Sequence, residues 1–290
     1  MQAMILAAGF GTRLRPYTEI KPKPIFPVCN TPLLLLTINN LKSSGFSKII
    51  VNCHHLADQV IRHISDISGV IIQHEDIILG TGGGLRRALP NLDDSPLLIV
   101  NGDIYHTVSY EKLYSAHEDG GGSVTMALHD LPRFNKVKVE QNRVVGFAGE
   151  LENSLAFTGI HVINPDILYD IQDNSFSCII DRYKDILQKN GEIGVYRVDD
   201  CFWSDMGTVP DYLKLHADLL QNDNSIPTNH NGAKVLAGDN TVLGENLEVK
   251  DWACIGHNVK IGKSVYLERT VVWDGAVLES NKEYTDTIVV

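Results

Sequence analysis

Residues 3–28 read AMILAAGFGTRLRPYTEIKPKPIFPV, an apolar run broken by glycines and followed by basic and proline-rich sequence. The apolar run over residues 3–8 stops at Gly9 and Gly11, the pattern of a buried strand whose end lets backbone approach a ligand without side-chain obstruction. Amides in such a turn can bind phosphate oxygens, and Arg13 adds a planar fork suited to them. The string is not the dinucleotide fingerprint, because the third glycine of GxGxxG is missing, and it is not a P-loop, because no GK[ST] follows. It also lacks a basic flank and a small-residue cleavage site, so an unprocessed chain is expected.

Working outward, short β-rich runs alternate with helical patterns to about residue 220, which predicts an α/β layered fold. Strands are expected at 3–8, 48–52, 70–74 and 96–100, with helices at 32–44, 56–65 and 85–89. Beyond these, a strand at 123–128, a hairpin over 137–147 turning at 141–143 and a strand at 156–163 suggest antiparallel additions to the sheet. Helices at 178–189 and 210–221 close the domain, the second with proline in a tolerated first-turn position. The 290 residues suffice for one large core plus a small module. A net charge of -11 argues against a surface built for nucleic acid or anionic lipid. Five scattered cysteines without a CxxC pair point to a reducing compartment, and no apolar run nears the roughly 20 residues of a membrane span.

Past a polar linker at 223–235 the pattern changes. Leu243, Val249, Ile255, Ile261, Leu267 and Trp273 fall every six residues, and Leu247, Ala253, Val259, Val265, Val271 and Val277 keep the same period. A six-residue repeat with glycine after the apolar position, as at Ile255-Gly256 and Ile261-Gly262, is what a parallel β-helix uses to fill its interior. It resembles the left-handed hexapeptide-repeat helix. About two coils are marginal alone, which predicts packing against the rest of the chain or against a second copy.

The opening string followed by Pro22-Lys23-Pro24 resembles the signature of the sugar-phosphate nucleotidyltransferase family, GxGTRLxPxT with a PKP-type lysine about ten residues on. The resemblance implies that Arg13 stabilises the triphosphate and the departing pyrophosphate, that Lys23 neutralises charge at the α-phosphate, and that Leu6, Ala7, Ala8, Gly9, Gly11 and Thr12 line the nucleotide. The run Leu79-Gly80-Thr81-Gly82-Gly83-Gly84 is read as opening a helix from Leu85 and exposing backbone donors at its positive end. It is similar to the family's base-recognising loop, which brings in Thr81, Gly82 and Gly83. The segments Asn101-Gly102-Asp103 and Trp203-Ser204-Asp205-Met206-Gly207-Thr208 resemble the NGD and W-x-D-x-G-T motifs, implying that Asp103 and Asp205 bind catalytic Mg2+, a hard cation commonly held by one or two carboxylates plus phosphate oxygens. Phe157-Thr158-Gly159-Ile160 resembles the segment lying against the sugar, implying contacts from Asn101, Thr158 and Gly159. The family's Glu-Lys-Pro triplet upstream is replaced by 146–150, where Glu150 is expected to supply part of that contact.

The expected architecture is therefore a Rossmann-like three-layer αβα nucleotidyltransferase domain with a mixed sheet at 1–222, then the linker, then a short left-handed parallel β-helix at 236–290. The implied reaction joins a nucleoside triphosphate to a sugar 1-phosphate with release of pyrophosphate. Partners are these two substrates, without nucleic acid or membrane, with self-association through the β-helix, in the cytoplasm. The Ala7-Ala8 pair and Leu-Gly-Thr-Gly run look more like uridylyl- or thymidylyltransferases, and the catalytic half is similar to the N-acetylmuramate 1-phosphate uridylyltransferases. The repeat is more usual in mannose 1-phosphate guanylyltransferase-like proteins. Two other classes compete: a non-catalytic nucleotide-sugar-binding regulator, which would usually lose one of the four charged positions retained here, and a hexapeptide acyltransferase, which would need more coils. The histidines lack metal-binding spacing and are read as core or surface residues.

Overall fold

The computed structural model describes residues 1–147, 154–223 and 232–290. The alternating pattern becomes β1 (Gln2–Leu6), α1 (Leu33–Ser43), β2 (Lys48–Cys53), α2 (Ala57–Ile64), β3 (Val70–His74), α3 (Gly80–Ala88) and β4 (Leu97–Asn101). β1 lies parallel to β2 on one side and to β4 on the other, with Ala3 opposite both Ile49 and Leu98. The spatial order β3-β2-β1-β4 reverses its direction of growth between β1 and β4. In open α/β sheets a crevice forms beyond the strand ends at such a reversal, and ligands bind there.

The second half continues as α4 (Tyr110–Gly120), β5 (Val124–His129), β6 (Asn135–Glu140), β7 (Arg143–Phe147), β8 (Ser154–Ile163), α5 (Ile179–Gln188) and β9 (Ile193–Arg197). The result is one nine-stranded sheet in the order β3-β2-β1-β4-β8-β5-β9-β7-β6. It is mixed, as expected: β8 runs antiparallel to β4 and β5, while β9 is parallel to β5. Gln141 and Asn142, both at positive φ, form the two-residue turn of the β6–β7 hairpin, the geometry that matches strand twist. Met4, Leu85, Leu97, Ile99, Met126, Leu128 and Tyr183 belong to one buried cluster. Full burial of each aliphatic side chain is worth about 1.5–3 kcal/mol.

Three features differ from the sequence reading. Helix α4 and strand β9 were not expected. The buried face of α4 is Tyr110, Leu113, Tyr114 and His117, so tyrosine and histidine take the places aliphatic residues usually mark. The glycine run does not precede its helix, because Gly80–Ala88 is itself helical and the glycines form its first turns.

The chain packs as two units. One comprises Met1–Phe10, Thr18–Pro24 and Leu34–Trp203; the other comprises Gly11–Tyr17, Ile25–Leu33 and Ser204–Val290. The second unit therefore includes α6 (Val209–Asn222). Its interior explains why: the Tyr212 hydroxyl donates to the Pro27 carbonyl, and Trp273 Nε1 donates to the Tyr212 oxygen at 3.3 Å. Phe26 packs edge-on to Trp273 at 4.7 Å. Most of the expected linker, 224–231, lies outside the described residues.

Within this unit β10 (Lys234–Ala237), β11 (Glu248–Ile255), β12 (Tyr266–Val272) and β13 (Glu283–Val289) form a parallel sheet. Lys234 pairs with Trp252 and Glu248 with Tyr266, so these turns of chain return after 18 residues. Corners are made by Asn240, Asn246, Asp251, Asn258, Ser264, Arg269, Gly275, Asn281 and Asp286, all at positive φ. Asn and Asp tolerate this region better than most side chains, which suits their prevalence here.

The strict six-residue period is not kept to the end. Val249, Ile255, Ile261 and Leu267 fill the core, but the column continues through Val272 and Leu278, while Val277 is 69% exposed. One residue is lost at a corner: Lys250 faces Glu268, whereas Ala253 faces Thr270. Trp273 is consequently buried against Phe26 rather than in the repeat core. Leu243, in the first turn, is half exposed.

Candidate active site

The site is built where β1 and β4 end. Leu6 sits opposite Asn52 of β2 and Asn101 of β4. The Gly102 amide donates to the Leu6 carbonyl at 2.9 Å, and a Cβ at Gly102 would lie 2.9 Å from that same oxygen, so only glycine allows the turn to approach. Of the amides expected to face phosphate, that of Ala7 already donates to Asn52 Oδ1 at 2.7 Å. A side chain at Gly9 would meet nothing within 4 Å, which leaves that part of the strand end open. Phe10 packs on the rings of His54 and His55, and His55 Nε2 donates to the Thr18 carbonyl at 2.6 Å. The histidine pair is thus occupied in holding the loop.

Asp103 follows the carboxyl end of β4, as a ligand-binding residue of such a sheet should. Lys23 Nζ donates to Asp103 Oδ2 at 2.7 Å, with the lysine side chain 6% exposed and the aspartate 38%. An ammonium this buried is costly unless its protons are satisfied, so the pair fixes a positive charge in a low-dielectric setting. The motifs of Lys23 and Asp103 are far apart in sequence and are brought together here.

In the second unit, Gly11 (φ 62°) leads into a single turn, Thr12–Leu14. Leu14 is fully buried and anchors the turn, which leaves Arg13 projecting from the surface. Arg13 Nη2 lies 3.7 Å from Asp205 Oδ2, with the arginine side chain 60% exposed and the aspartate 14%. A Cβ at Gly207 would fall 2.7 Å from Asp205 Oδ2 and 2.8 Å from Arg13 Nη1, so the glycine of the W-x-D-x-G-T string makes room for this pair.

The sugar-side residues divide. Gly159 has φ 79° and lies within a break in the β8–β5 register; a Cβ there would be 2.6 Å from Asn101 Nδ2. Asn101 and Gly159 are therefore adjacent. Thr158 is fully buried: its hydroxyl donates to the Ala127 carbonyl at 2.8 Å, and its own carbonyl accepts from Trp203 Nε1 at 2.9 Å. It supports the strand, and its side chain does not face solvent. Glu150 lies outside the described residues.

Helix α3 is more enclosed than its sequence suggested. The Gly82 and Gly83 amides both donate to the Ser177 carbonyl, at 2.8 and 3.3 Å, and Thr81 Oγ1 accepts from the Ile179 amide at 3.0 Å. A Cβ at Gly83 would stand 2.3 Å from the Ser175 carbonyl oxygen. These glycines let residues 175–177 lie directly against the helix, and their donors are already used.

Sequence reasoning missed a buried polar group beneath these loops. Glu75, with no exposed surface, accepts from Asn52 Nδ2 at 2.8 Å, from Gln73 Nε2 at 3.3 Å and from the Leu79 amide at 3.3 Å. Asn52 and Gln73 are themselves buried. The sequence signal was indirect: polar side chains at or just past the ends of two apolar strands, Asn52 before Cys53 and Gln73 and Glu75 on either side of His74. Beside them, burial and then the Glu75 and Asp58 carboxylates push the Cys53 thiol up to about 11, which excludes it as a nucleophile at neutral pH.

Among the described residues no group of three or more His, Cys, Asp and Glu side chains forms a metal cluster. Asp103 and Asp205 are all-oxygen donors of the hard type a divalent magnesium ion prefers, and that ion commonly takes one or two carboxylates and completes its shell from phosphate and water.

The model of the family described as nucleotidyl transferase matches residues 2–222. A mannose-1-phosphate guanylyltransferase of Mycobacterium tuberculosis is 26% identical over 294 residues, covering 97% of this chain and 82% of the relative. A UTP–glucose-1-phosphate uridylyltransferase of Synechocystis sp. is 26% identical, with coverage of 97% and 82%. Among solved structures, a Bacillus anthracis protein described as a glucose-1-phosphate thymidylyltransferase superposes with TM-score 0.68 at 19% identity over 77% of this chain and 96% of its own. HddC from Yersinia pseudotuberculosis, complexed with GMP-PN, superposes with TM-score 0.64 at 24% identity over 75% of this chain and 99% of its own. With its family model spanning three-quarters of the sequence and an α/β sheet of matching fold, the chain belongs to the nucleotidyl transferase family.

Proposed function

We propose that the chain transfers the nucleotidyl group of a nucleoside triphosphate to a sugar 1-phosphate. The observation that carries this reading is the Lys23–Asp103 pair, a buried cation and a half-exposed carboxylate at the reversal point of the sheet. A phosphate oxygen of the sugar phosphate attacks the α-phosphorus in line, a P–O bond forms, the bond to the β-phosphate breaks, and pyrophosphate leaves with the electron pair. The attacking oxygen is already ionised at neutral pH, so no general base is required, and rate comes from alignment and charge neutralisation. Lys23 neutralises charge at the α-phosphate and Arg13 holds the leaving pyrophosphate. Magnesium would supply neutralisation of the phosphate oxygens, Asp103 and Asp205 being the carboxylates that the motifs assign to it. The open backbone at Gly9 admits the triphosphate, Gly11 and Thr12 follow it in sequence, and Asn101 with Gly159 borders the sugar.

The base has two readings. The Ala7-Ala8 pair favours UTP or dTTP, whereas the guanylyltransferase names among the relatives favour GTP and mannose 1-phosphate. Pyrophosphate release, measured for the four common ribonucleoside triphosphates and dTTP against a panel of sugar 1-phosphates, decides between them. Turnover is expected with one base and to vanish with EDTA. No pyrophosphate from any pair, with magnesium present, removes the enzymatic reading and leaves the non-catalytic regulator.

The parallel strands at 234–289, with their 18-residue return, support reading the carboxy-terminal module as a short left-handed β-helix. Self-association through its ends is the corresponding expectation for a cytoplasmic enzyme, and light scattering that gives a strict monomer would refute it. No helix of the described residues is long and apolar enough to cross a membrane.

A further inference from the structure

The loop after β1 and the start of α3 belong to different motifs, yet one buried chain of hydrogen bonds joins them. The Ala7 amide donates to Asn52 Oδ1 at 2.7 Å, and Asn52 Nδ2 donates to Glu75 Oε1 at 2.8 Å. The other carboxylate oxygen, Glu75 Oε2, accepts from the Leu79 amide at 3.3 Å, at the entry to α3. Gln73 Nε2 adds a second tie by donating to the Gly84 carbonyl at 2.9 Å. Each link dictates the next: an amide N–H needs an acceptor and a carboxylate needs a donor, so Asn52 is held in one orientation. The helix is fitted to this pair as well, because a Cβ at Gly84 would stand 2.9 Å from both Asn52 Nδ2 and Glu75 Oε1.

We propose that Asn52 and Glu75 are positioning residues that set the spacing between the triphosphate-binding end of β1 and the entry to α3, and thereby the affinity for the nucleoside triphosphate. They act through Ala7 and Leu79. A buried charge-assisted network is stiff when fully paired, and a shift of an ångström in one partner is transmitted rather than absorbed. The inference rests on the nucleotidyltransfer reading above and assigns to it two residues that no motif contains.

The test exchanges the polarity of the link. Asn52→Asp keeps an acceptor for Ala7 but sets two carboxylates against each other, whereas Glu75→Gln removes the charge and leaves a donor facing either Asn52 Nδ2 or the Leu79 amide. In the double variant, the carboxylate introduced at position 52 still accepts from Ala7 and also accepts from the new side-chain amide at position 75. The carbonyl of that same amide accepts from Leu79, so the chain from Ala7 to Leu79 is restored with donor and acceptor reversed, and only the 3.3 Å bond from Gln73 Nε2 to position 75 is given up. Each single variant is expected to raise KM for the preferred nucleoside triphosphate about tenfold, with kcat and the sugar 1-phosphate KM changed less than about threefold, and the double variant to return within about threefold of the parent. Should a single variant fail to fold, Gly84→Ala, which crowds the pair while favouring helix, is read in the same assay for the same rise in KM. Folded variants, Gly84→Ala included, whose nucleotide KM stays at the parental value, or a double variant no better than the singles, overturn the assignment. A parent chain that releases no pyrophosphate with any substrate pair instead removes the reading beneath it, and this inference falls with it.

Discussion

Two Lys or Arg to Asp pairs, both drawn from the sequence motifs, share a chemistry and differ in surroundings. In the sheet unit, Lys23 is enclosed and 2.7 Å from Asp103; in the other unit, Arg13 stands mostly in solvent and 3.7 Å from Asp205. An exposed pair at that distance contributes about 0–1 kcal/mol, because water screens it and two long side chains must be held still. An enclosed ammonium is different, since its hydration has been given up and protein oxygens must replace it. Lys23 is therefore fixed by the fold before any substrate arrives, while Arg13 keeps the rotamer freedom to close on an incoming anion.

Two variants test that contrast directly. Lys23→Ala is expected to lower pyrophosphate-release turnover by about a thousandfold, as loss of a preorganised charge-stabilising group does elsewhere. Arg13→Ala should cost about 10- to 100-fold in turnover with a change in urea-unfolding stability within about 0.5 kcal/mol, and a larger unfolding loss would erase the distinction.

The glycines carry the comparison into the backbone. Gly83→Ala places a methyl 2.3 Å from the Ser175 carbonyl oxygen and should destabilise by about 1–3 kcal/mol despite the better helix propensity of alanine, whereas Gly9→Ala meets nothing within 4 Å and should leave the unfolding midpoint nearly unchanged.

The smallest effect concerns pH. Burial holds His161 down to about 3, and His106 and His216 down to about 4, from the ordinary 6.5. The unfolded chain therefore takes up these protons first, so stability is unaffected above about pH 7 and is lost as pH falls from about 6.5 toward 4. His161 has no hydrogen-bond partner on either ring nitrogen, so His161→Leu should make that fall shallower without weakening the protein at pH 7. An unchanged slope in urea titrations at pH 7, 6 and 5 would show that His161 is not buried in the way described.

What could be read from the sequence was whatever repeats or clusters along the chain. Residues 3–8 and 96–100 announced buried strands because both faces are covered and the runs are almost continuously apolar. Helix α4 was silent because Tyr110, Tyr114 and His117 bury rings whose polarity hides the helical period. The glycine run was legible as a place of close approach, but its partner, residues 175–177, lies about ninety residues on, and no local pattern says whether a gap is for a ligand or for the chain itself. Lys23 and Asp103 stood out because each sits in a dense motif. Asn52 and Glu75 did not, since a single polar residue at a strand end has no period, and its meaning appears only when β1, β2 and β3 are set side by side.

The missing residue at the Arg269 corner also bears on how the turns are held. The shortened turn keeps every inward side chain from Val249 to Leu278 in its stack, so the difference in length is absorbed at the bend alone. That bend is also a clasp: the Arg269 guanidinium donates to Asp251 and to Asp286, its counterparts in the turns before and after, so three successive turns are held together along one edge.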